Sequence, residues 1–338
     1  MPKTYRLIGG NGSPYSVKMR ALMRYRRLPF IWVMRTPEIR RELADLKPQL
    51  VPVLQLLDSG EYLLDSTFQA LALEERHPGV RSVIPEDPAQ AFLCHLIEDM
   101  ADEWVTKMMF HYRWRDEEDQ HYCSRWIISD AQPGLDDEAF EAAADAIKER
   151  QVGRLPLVGS TPQNAAIIES GYMRLIRLLE PTLDQNGYLF GTRPSLADFA
   201  LFGQLKTLAD DPTPQRIMRA VANRLTHWIR RNDDASGVEG AWREPDAEPS
   251  EAVCGLIQMA GDTYLPFLEA NAKSLEAGND EIRLTLCGQD YVQAPFGYQA
   301  KCFARLRKLF AELDSDARAR IEPLLTRTGC APYLPSSS

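Results

Sequence analysis

The 338-residue sequence predicts an α/β domain followed by an all-helical domain, with a C-terminal extension of mixed α and β structure. Residues 1–80 alternate short apolar runs with helical patterns and contain one hairpin signal. Across residues 88–232, apolar side chains recur at spacings of three and four, which is the period of a helix. Residues 240–338 add a long helical pattern, a candidate strand pair and a final amphipathic helix.

The first strand leads through a glycine-rich loop into Ser13-Pro14-Tyr15-Ser16, which opens a helical pattern. Ser13 can cap this helix, and Pro14 suits the first turn, where a missing N–H has no consequence. A helix start concentrates unpaired N–H groups and therefore favours an anion, such as a thiolate. Ser13 could donate a hydrogen bond to a bound thiolate; an ordinary helix cap is the alternative interpretation.

Val51 and Pro52 begin a second apolar strand pattern that runs to Leu57. Proline lacks a ladder donor, so it belongs at the beginning or the edge of a strand. A cis bond between Val51 and Pro52 would leave the N–H and C=O of Val51 free. These groups could pair with an extended peptide by strand addition.

A hairpin turn at residues 58–61 leads into a third strand pattern, and Asp65 and Ser66 follow directly before another helical run. Two interpretations remain open for this pair. The side chains could cap the helix, or they could bind the ammonium and carboxylate groups of a ligand. Tyr5, early in the first strand, is interpreted as a strand residue.

Helical patterns continue to about residue 231, and an aromatic-rich segment covers residues 110–126. Those aromatic side chains could line an apolar ligand site or pack in the core. Ser195 and Asp198 have the spacing of a capping box, in which each side chain bonds the backbone N–H of the other residue. This motif predicts a folding role. The extension from residue 240 is predicted to pack on the helical domain, because its apolar positions are a thin basis for a separate core.

Taken in order, Ser-Pro-x-Ser, Val-Pro-Val-Leu and Asp-Ser resemble motifs of the glutathione transferase family, and residues 188–199 resemble its C-terminal-domain signature. The resemblance implies a thioredoxin-like N-terminal domain, glutathione as co-substrate and a small-molecule electrophile as the second substrate. It also implies a homodimer. The implied catalytic residue is Ser13, as a stabiliser of the thiolate. The implied glutathione-binding residues are Ser13, Val51, Pro52, Asp65 and Ser66.

The sequence departs from the family pattern at two positions. Leu50 stands where a basic residue often precedes the Val-Pro pair, and Asp65 replaces a commoner glutamate. Two other functions therefore stay open: a non-catalytic glutathione-binding or scaffold protein of the same fold, and a glutathione-dependent lyase or ether-cleaving enzyme that uses the same thiolate.

Composition narrows the functional classes. The net charge of −9 argues against nucleic acid as a partner. No apolar run reaches the ~20 residues that cross a bilayer, and the N-terminus enters a strand directly, so we expect a cytoplasmic protein without a membrane anchor. The six cysteines form no C-x-x-C pair, which is typical of buried thiols in a reducing compartment. His111 and His121 flank an acidic stretch without metal-ligand spacing, so no metal is expected.

Overall fold

The computed structural model describes residues 5–79 and 81–335. The outermost residues of the predicted domain ranges, 1–4, 80 and 336–338, lie outside the described part. The division into domains at 1–80, 88–232 and 240–338 stays a prediction.

The N-terminal part is a four-stranded sheet with three helices. Its elements are, in order, β1 (Tyr5–Gly9), α1 (Pro14–Tyr25), β2 (Phe30–Met34), α2 (Pro37–Glu42), β3 (Val53–Leu56), β4 (Tyr62–Leu64) and α3 (Ser66–Arg76). The strand order is β2-β1-β3-β4; β1 and β2 are parallel, whereas β3 is antiparallel to both β1 and β4. This is the thioredoxin-like arrangement that the sequence resemblance implied.

The middle part is all-helical. Its elements are α4 (Pro88–Met100), a π-helical turn (Ala101–Val105), α5 (Thr106–Arg115), α6 (Glu117–Ala131), α7 (Asp137–Val152), a 3-10 turn (Pro156–Val158), α8 (Ala165–Asn186), α9 (Leu196–Asp210), α10 (Pro212–Val221) and α11 (Asn223–Asp233). The sequence pattern predicts one helix over 214–231, but the chain breaks at Ala222. The reason is that Glu180, from α8, accepts the N–H groups of Arg224 and Leu225 and so caps a new helix.

The extension contains a second interrupted helix, a hairpin and two further helices. These are α12 (Glu251–Met259), a π-helical turn (Ala260–Tyr264), α13 (Leu265–Glu276), β5 (Ile282–Leu286), β6 (Gln289–Gln293), α14 (Gly297–Ala311), α15 (Ser315–Arg327) and a 3-10 turn (Ala331–Tyr333). The hairpin and the long helix agree with the sequence patterns. The last helix of the chain, α15, has no counterpart in the sequence-based expectations.

The extension packs directly on the central helix of the protein. Helices α12, α14 and α15 all contact α4, while α9 covers α4 from another side. As a result, residues 92–102 are buried without interruption. Buried apolar side chains from all three parts form one continuous core, which includes Leu7, Phe92, Phe199 and Leu306. The extension therefore shares its hydrophobic core with the rest of the chain.

Among the described residues, no helix has both the length and the apolar character required to cross a membrane. Within the same residues, no three histidine, cysteine or acidic side chains come together as a possible metal site.

Candidate functional site

The strand pairing brings three of the sequence motifs to one edge of the sheet. Val53 of β3 pairs with Ile8 of β1 on one side and with Leu64 of β4 on the other. The chain therefore leaves β1 towards Ser13, enters β3 from Pro52 and leaves β4 towards Asp65 at neighbouring positions. Three motifs spread over residues 13–66 of the sequence therefore lie at the same edge of the sheet.

Ser13 is the N-cap residue of α1. Its backbone is extended, and its Oγ accepts a hydrogen bond from the N–H of Ser16 at 3.3 Å. The Ser13 side chain is half-buried. Within the described chain, no protein acceptor takes the hydroxyl proton of Ser13. This hydroxyl can therefore cap the helix and donate to a ligand at the same time.

The helical domain holds the loop before Ser13 in place. Asp130 of α6 accepts two hydrogen bonds from Asn11, one from its backbone N–H at 3.1 Å and one from its side chain at 2.8 Å. Arg113 of α5 donates to the carbonyl oxygen of Gly12 at 2.6 Å and is itself fixed by Asp211. These contacts fix the loop conformation from outside the N-terminal sheet.

Gly203 allows α9 to approach the first turn of α1 closely. A Cβ atom at this position would lie 2.4 Å from the carbonyl oxygen of Pro14, which is backbone and cannot rotate away. A glycine in the middle of a helix is a sequence signal for such close approach. The signal indicates that another segment approaches α9 closely, but it does not say which segment.

The Val51–Pro52 peptide bond is cis, which is the condition that the strand-addition hypothesis required. The carbonyl oxygen of Pro52 accepts a hydrogen bond from Gln69 of α3 at 2.8 Å. No hydrogen bond to the N–H or C=O of Val51 forms within the described residues. The groups required for strand addition are therefore present and unpaired.

Asp65 is a helix cap with an unusual backbone conformation. Its φ of 72° lies in the left-handed region, which is uncommon for a residue with a side chain. One carboxylate oxygen accepts the N–H groups of Thr67 and Phe68, at 2.9 and 3.3 Å. The other oxygen accepts a hydrogen bond from the hydroxyl of Tyr298, which belongs to the extension. The capping role exists, and a residue 233 positions away also reaches this carboxylate.

Ser66 is buried and points towards the helical domain. Its Oγ donates to Oδ2 of Asp102 at 3.4 Å. Asp102 also forms an ion pair with the buried Lys18 at 2.6 Å. The hydroxyl proton of Ser66 is thus directed at a protein carboxylate, which leaves the hydroxyl lone pairs for a hydrogen-bond donor.

A buried ionic network lies beneath this end of the site. Lys18 joins Asp102 to Glu98 at 2.7 Å, and Arg305 of the extension joins Glu98 to Asp99 at 3.2 and 3.0 Å. Burial alone would raise the pKa of Glu98, but Lys18 and Arg305 lower it to about 2. Burial raises the pKa of Asp102 to about 7, against the attraction of Lys18. Acidic residues within the apolar pattern of α4 were a sequence signal of this network.

The aromatic segment divides between core and site. Tyr112 and Trp114 are buried in the helical domain, 6% and 1% exposed, so they are core residues. Trp126 and Ile127 of α6 instead face the loop before Ser13, where a Cβ on Gly12 would lie 3.2 and 3.0 Å from them. These two side chains form an apolar surface close to Ser13.

Tyr5 lies at the far end of β1 from Ser13. Its hydroxyl is 2.6 Å from Nε2 of His77 and also accepts from Arg76. Tyr5 is therefore a buried structural residue, in agreement with its interpretation from the sequence.

A surface groove of about 580 Å³ lies elsewhere, at the start of α6. It is lined by Glu117, Glu118, Gln120, His121, Tyr122, Lys148 and Pro212. None of the residues predicted from the motifs lines it, so it does not belong to this site.

The fold defines a two-domain protein class, a thioredoxin-like domain joined to an all-helical domain. Two family models match the chain: the N-terminal domain of glutathione S-transferase over residues 7–81 and the C-terminal domain over residues 135–231. The matched regions contain 75 and 97 residues and together make up just over half of the 338-residue chain. The chain belongs to the glutathione S-transferase family.

Solved structures with the same fold are distant. A glutathione S-transferase from Methylobacterium radiotolerans, in complex with glutathione sulfonate, is 21% identical with a TM-score of 0.44, over 72% of this chain and 99% of that one. The β-etherase LigF from Sphingobium is 22% identical with a TM-score of 0.48, over 68% and 94%. FzlA from C. crescentus is 19% identical with a TM-score of 0.44, over 75% and 91%. Such distances do not identify a shared reaction. No protein with a curated description showed significant similarity to the chain.

Proposed function

We propose that the protein is a glutathione-dependent enzyme in which Ser13 stabilises the glutathione thiolate for attack on an electrophilic carbon. The observation that carries this proposal is the uncommitted hydroxyl proton of Ser13 at the N-terminus of α1. A free thiol has a pKa near ~8.5 and is mostly protonated at neutral pH. A hydrogen bond to a charged group contributes roughly 1.5–3 kcal/mol. Since one pKa unit corresponds to about 1.4 kcal/mol, one such bond lowers the thiol pKa by one or two units.

The other motif residues would hold the tripeptide. The unpaired N–H and C=O of Val51 are suited to pair with the backbone of glutathione as an added strand, with Pro52 setting the direction of the chain there. Asp65 and Ser66 would bind the end of the ligand that carries its ammonium group. This orientation would place the thiol near the start of α1.

In the reaction, the thiolate sulfur forms a bond to the electrophilic carbon, and the leaving group departs with the electron pair of the broken bond. The apolar surface of Trp126 and Ile127 lies next to the Ser13 loop and could receive the electrophile. Ser13 itself is not the nucleophile, because no imidazole contacts its hydroxyl in the described structure to remove the proton.

A non-catalytic glutathione-binding or scaffold protein is the second candidate. The observation that favours it is the contact of Tyr298 with Asp65, which occupies one of the proposed ligand-binding oxygens. An ether-cleaving activity would use the same thiolate and the same residues. Turnover measurements with aryl halides and with β-aryl ethers separate these possibilities.

The decisive experiment is a titration of thiolate absorbance with bound glutathione. In Ser13→Ala we expect a bound-thiol pKa that is one to two units higher, with affinity changed by only a few-fold. Ser16→Ala is the matched control, because its buried hydroxyl has no partner within the described chain and lies against Gly9. Coincident curves for wild type and Ser13→Ala would remove Ser13 from its role. Failure of wild type to bind glutathione would refute the whole proposal.

We also propose a cytoplasmic homodimer, on the family resemblance alone. Light scattering at micromolar concentration and fractionation of expressing cells test these two points.

A further inference from the structure

Three pairs of neighbouring residues, each from a different segment, are joined by hydrogen bonds into a closed ring: Asp65 and Ser66, Asp102 and Glu103, and Tyr298 and Gln299. Two of the links, Ser66 to Asp102 and Tyr298 to Asp65, belong to the site described above. In the third link, Nε2 of Gln299 donates to Oε2 of Glu103 at 3.2 Å. We call these six residues the acidic ring.

The acidic ring has hydrogen-bond acceptors left over. Oδ1 of Asp102 and Oε1 of Gln299 have no partner within the described residues. Both residues are only 6% exposed, so bulk water does not readily satisfy these atoms. An unpaired buried acceptor is destabilising, because it has lost its hydrogen bonds to water without replacement. A ligand with several N–H donors would satisfy both.

Carboxyl groups outnumber cationic groups around the acidic ring. Five carboxyl groups lie in the ring or directly beneath it: Asp65, Glu98, Asp99, Asp102 and Glu103. The facing cations are Lys18, Arg305 and, farther along, Lys107, whose ammonium is already bonded to Gln293. Burial and then the nearby carboxylates raise the pKa of Glu103 well above its usual value, and burial raises the pKa of Asp99 and Asp102, which favours their protonated forms. A bound cation would lower these pKa values, whereas a ligand carboxylate would raise them further.

We propose that the acidic ring binds a primary ammonium group, and that the C-terminal extension thereby takes part in ligand recognition through Tyr298 and Gln299. This inference rests on the proposed function, because the ammonium of glutathione is the group that Asp65 and Ser66 would receive. The ammonium has three N–H donors, and the unpartnered acceptors of the ring, Oδ1 of Asp102 and Oε1 of Gln299, can accept two of them. Selectivity for the ammonium is then a property of the extension as well as of the N-terminal domain.

The test compares glutathione with N-acetylated glutathione, in which the ammonium is an uncharged amide and the thiol is unchanged. By calorimetry we expect the full-length wild type to bind glutathione at least tenfold more tightly than the acetylated form. Gln299→Leu should reduce this preference to a few-fold without changing affinity for the acetylated form. Gln289→Leu, an exposed glutamine of the same extension, is the matched control.

Tyr298→Phe keeps the ring of the side chain and removes the hydroxyl link, so it provides a second variant if Gln299→Leu does not fold. It too should alter the preference for the ammonium. If wild type binds both ligands equally, the proposed function stands, and the acidic ring has only the structural role of holding the extension against the rest of the protein. If the preference exists but neither variant changes it, the extension has no part in recognition. If neither ligand binds, the proposed function and this inference both fail.

Discussion

Two helix starts in this protein contain the same chemical groups but use them differently. At α9, Ser195 and Asp198 are fully buried, and Asp198 accepts hydrogen bonds from the N–H and hydroxyl of Ser195 and from the N–H of Leu189, at 2.9, 2.6 and 3.1 Å. Every acceptor is satisfied within ten residues of sequence. At α3, Asp65 caps its helix with one oxygen only, and its neighbour Ser66 bonds a different domain.

The difference distinguishes a structural cap from a candidate binding site. A cap whose bonds all close locally contributes stability and has nothing left for a ligand. A cap whose remaining groups reach residues far away in sequence depends on tertiary structure and keeps groups that a ligand can use. The pattern Asp-Ser or Ser-x-x-Asp does not separate the two, whereas the destination of each hydrogen bond does.

The largest expected effect on stability comes from removing Asp198, the acidic residue of the capping box at α9. Asp198→Ala leaves the N–H groups of Ser195 and Leu189 buried without a partner, so we expect the free energy of unfolding to fall by about 3 kcal/mol. Denaturant titration measures the loss. Glutathione affinity should not change, and a variant as stable as wild type, or one that loses only turnover, would contradict the assignment.

An intermediate effect tests whether α9 supports the start of α1. In Gly203→Ala the new methyl group meets the backbone carbonyl of Pro14, so we expect destabilisation by about 1–2 kcal/mol, with a raised pKa of the bound thiol. Gly171→Ala is the matched control, since its methyl group meets only the mobile tip of Met108, at 2.9 Å. The control should be neutral or more stable by up to about 1 kcal/mol, because alanine favours helix. Equal melting temperatures for the two variants would show that the contact with Pro14 is unimportant.

The smallest effect on stability is expected at Asp65, the N-cap residue of α3. Asp65→Ala should lower the free energy of unfolding by about 1 kcal/mol but weaken glutathione binding at least tenfold. Asp136→Ala removes an exposed cap of the same type at α7, where the side chain accepts the N–H of Ala139 at 2.9 Å. Because Asp136 has an ordinary extended backbone, with a φ of −70°, this substitution should lower stability no more than Asp65→Ala does, and it should leave binding intact. Calorimetry beside thermal melts measures both quantities, and an unchanged affinity in Asp65→Ala leaves this residue with capping alone.

The sequence was sufficient for the parts that depend on local patterns. The Ser-Pro helix start and the capping box of Ser195 each rest on a few adjacent residues, and the structure contains both. The cis Val51–Pro52 bond was only a condition of the strand-addition hypothesis, and the structure meets it. The roles of Ser13, Val51, Pro52, Asp65 and Ser66 in ligand binding stay predictions. The partners of these residues could not be predicted, since Tyr298 and Asp102 lie 233 and 36 positions away from them. The break at Ala222 was missed for the same reason, because its capping group is on another helix.

The number of residues between α4 and α5 matters as well as their identity. Asp102 and Glu103 lie in the π-helical turn Ala101–Val105, a widened turn between two α-helices. Each residue of an α-helix advances the direction of its side chain by about 100°, so the length of this turn sets the phase of α5 relative to α4. A π-helical turn holds about one residue more than an α-helical turn, so deleting one residue here would allow a regular α-helical turn and leave Arg113 facing Gly12. Inserting or deleting one residue in the regular helix that follows would instead rotate Arg113 by about 100° and break its contact with Gly12.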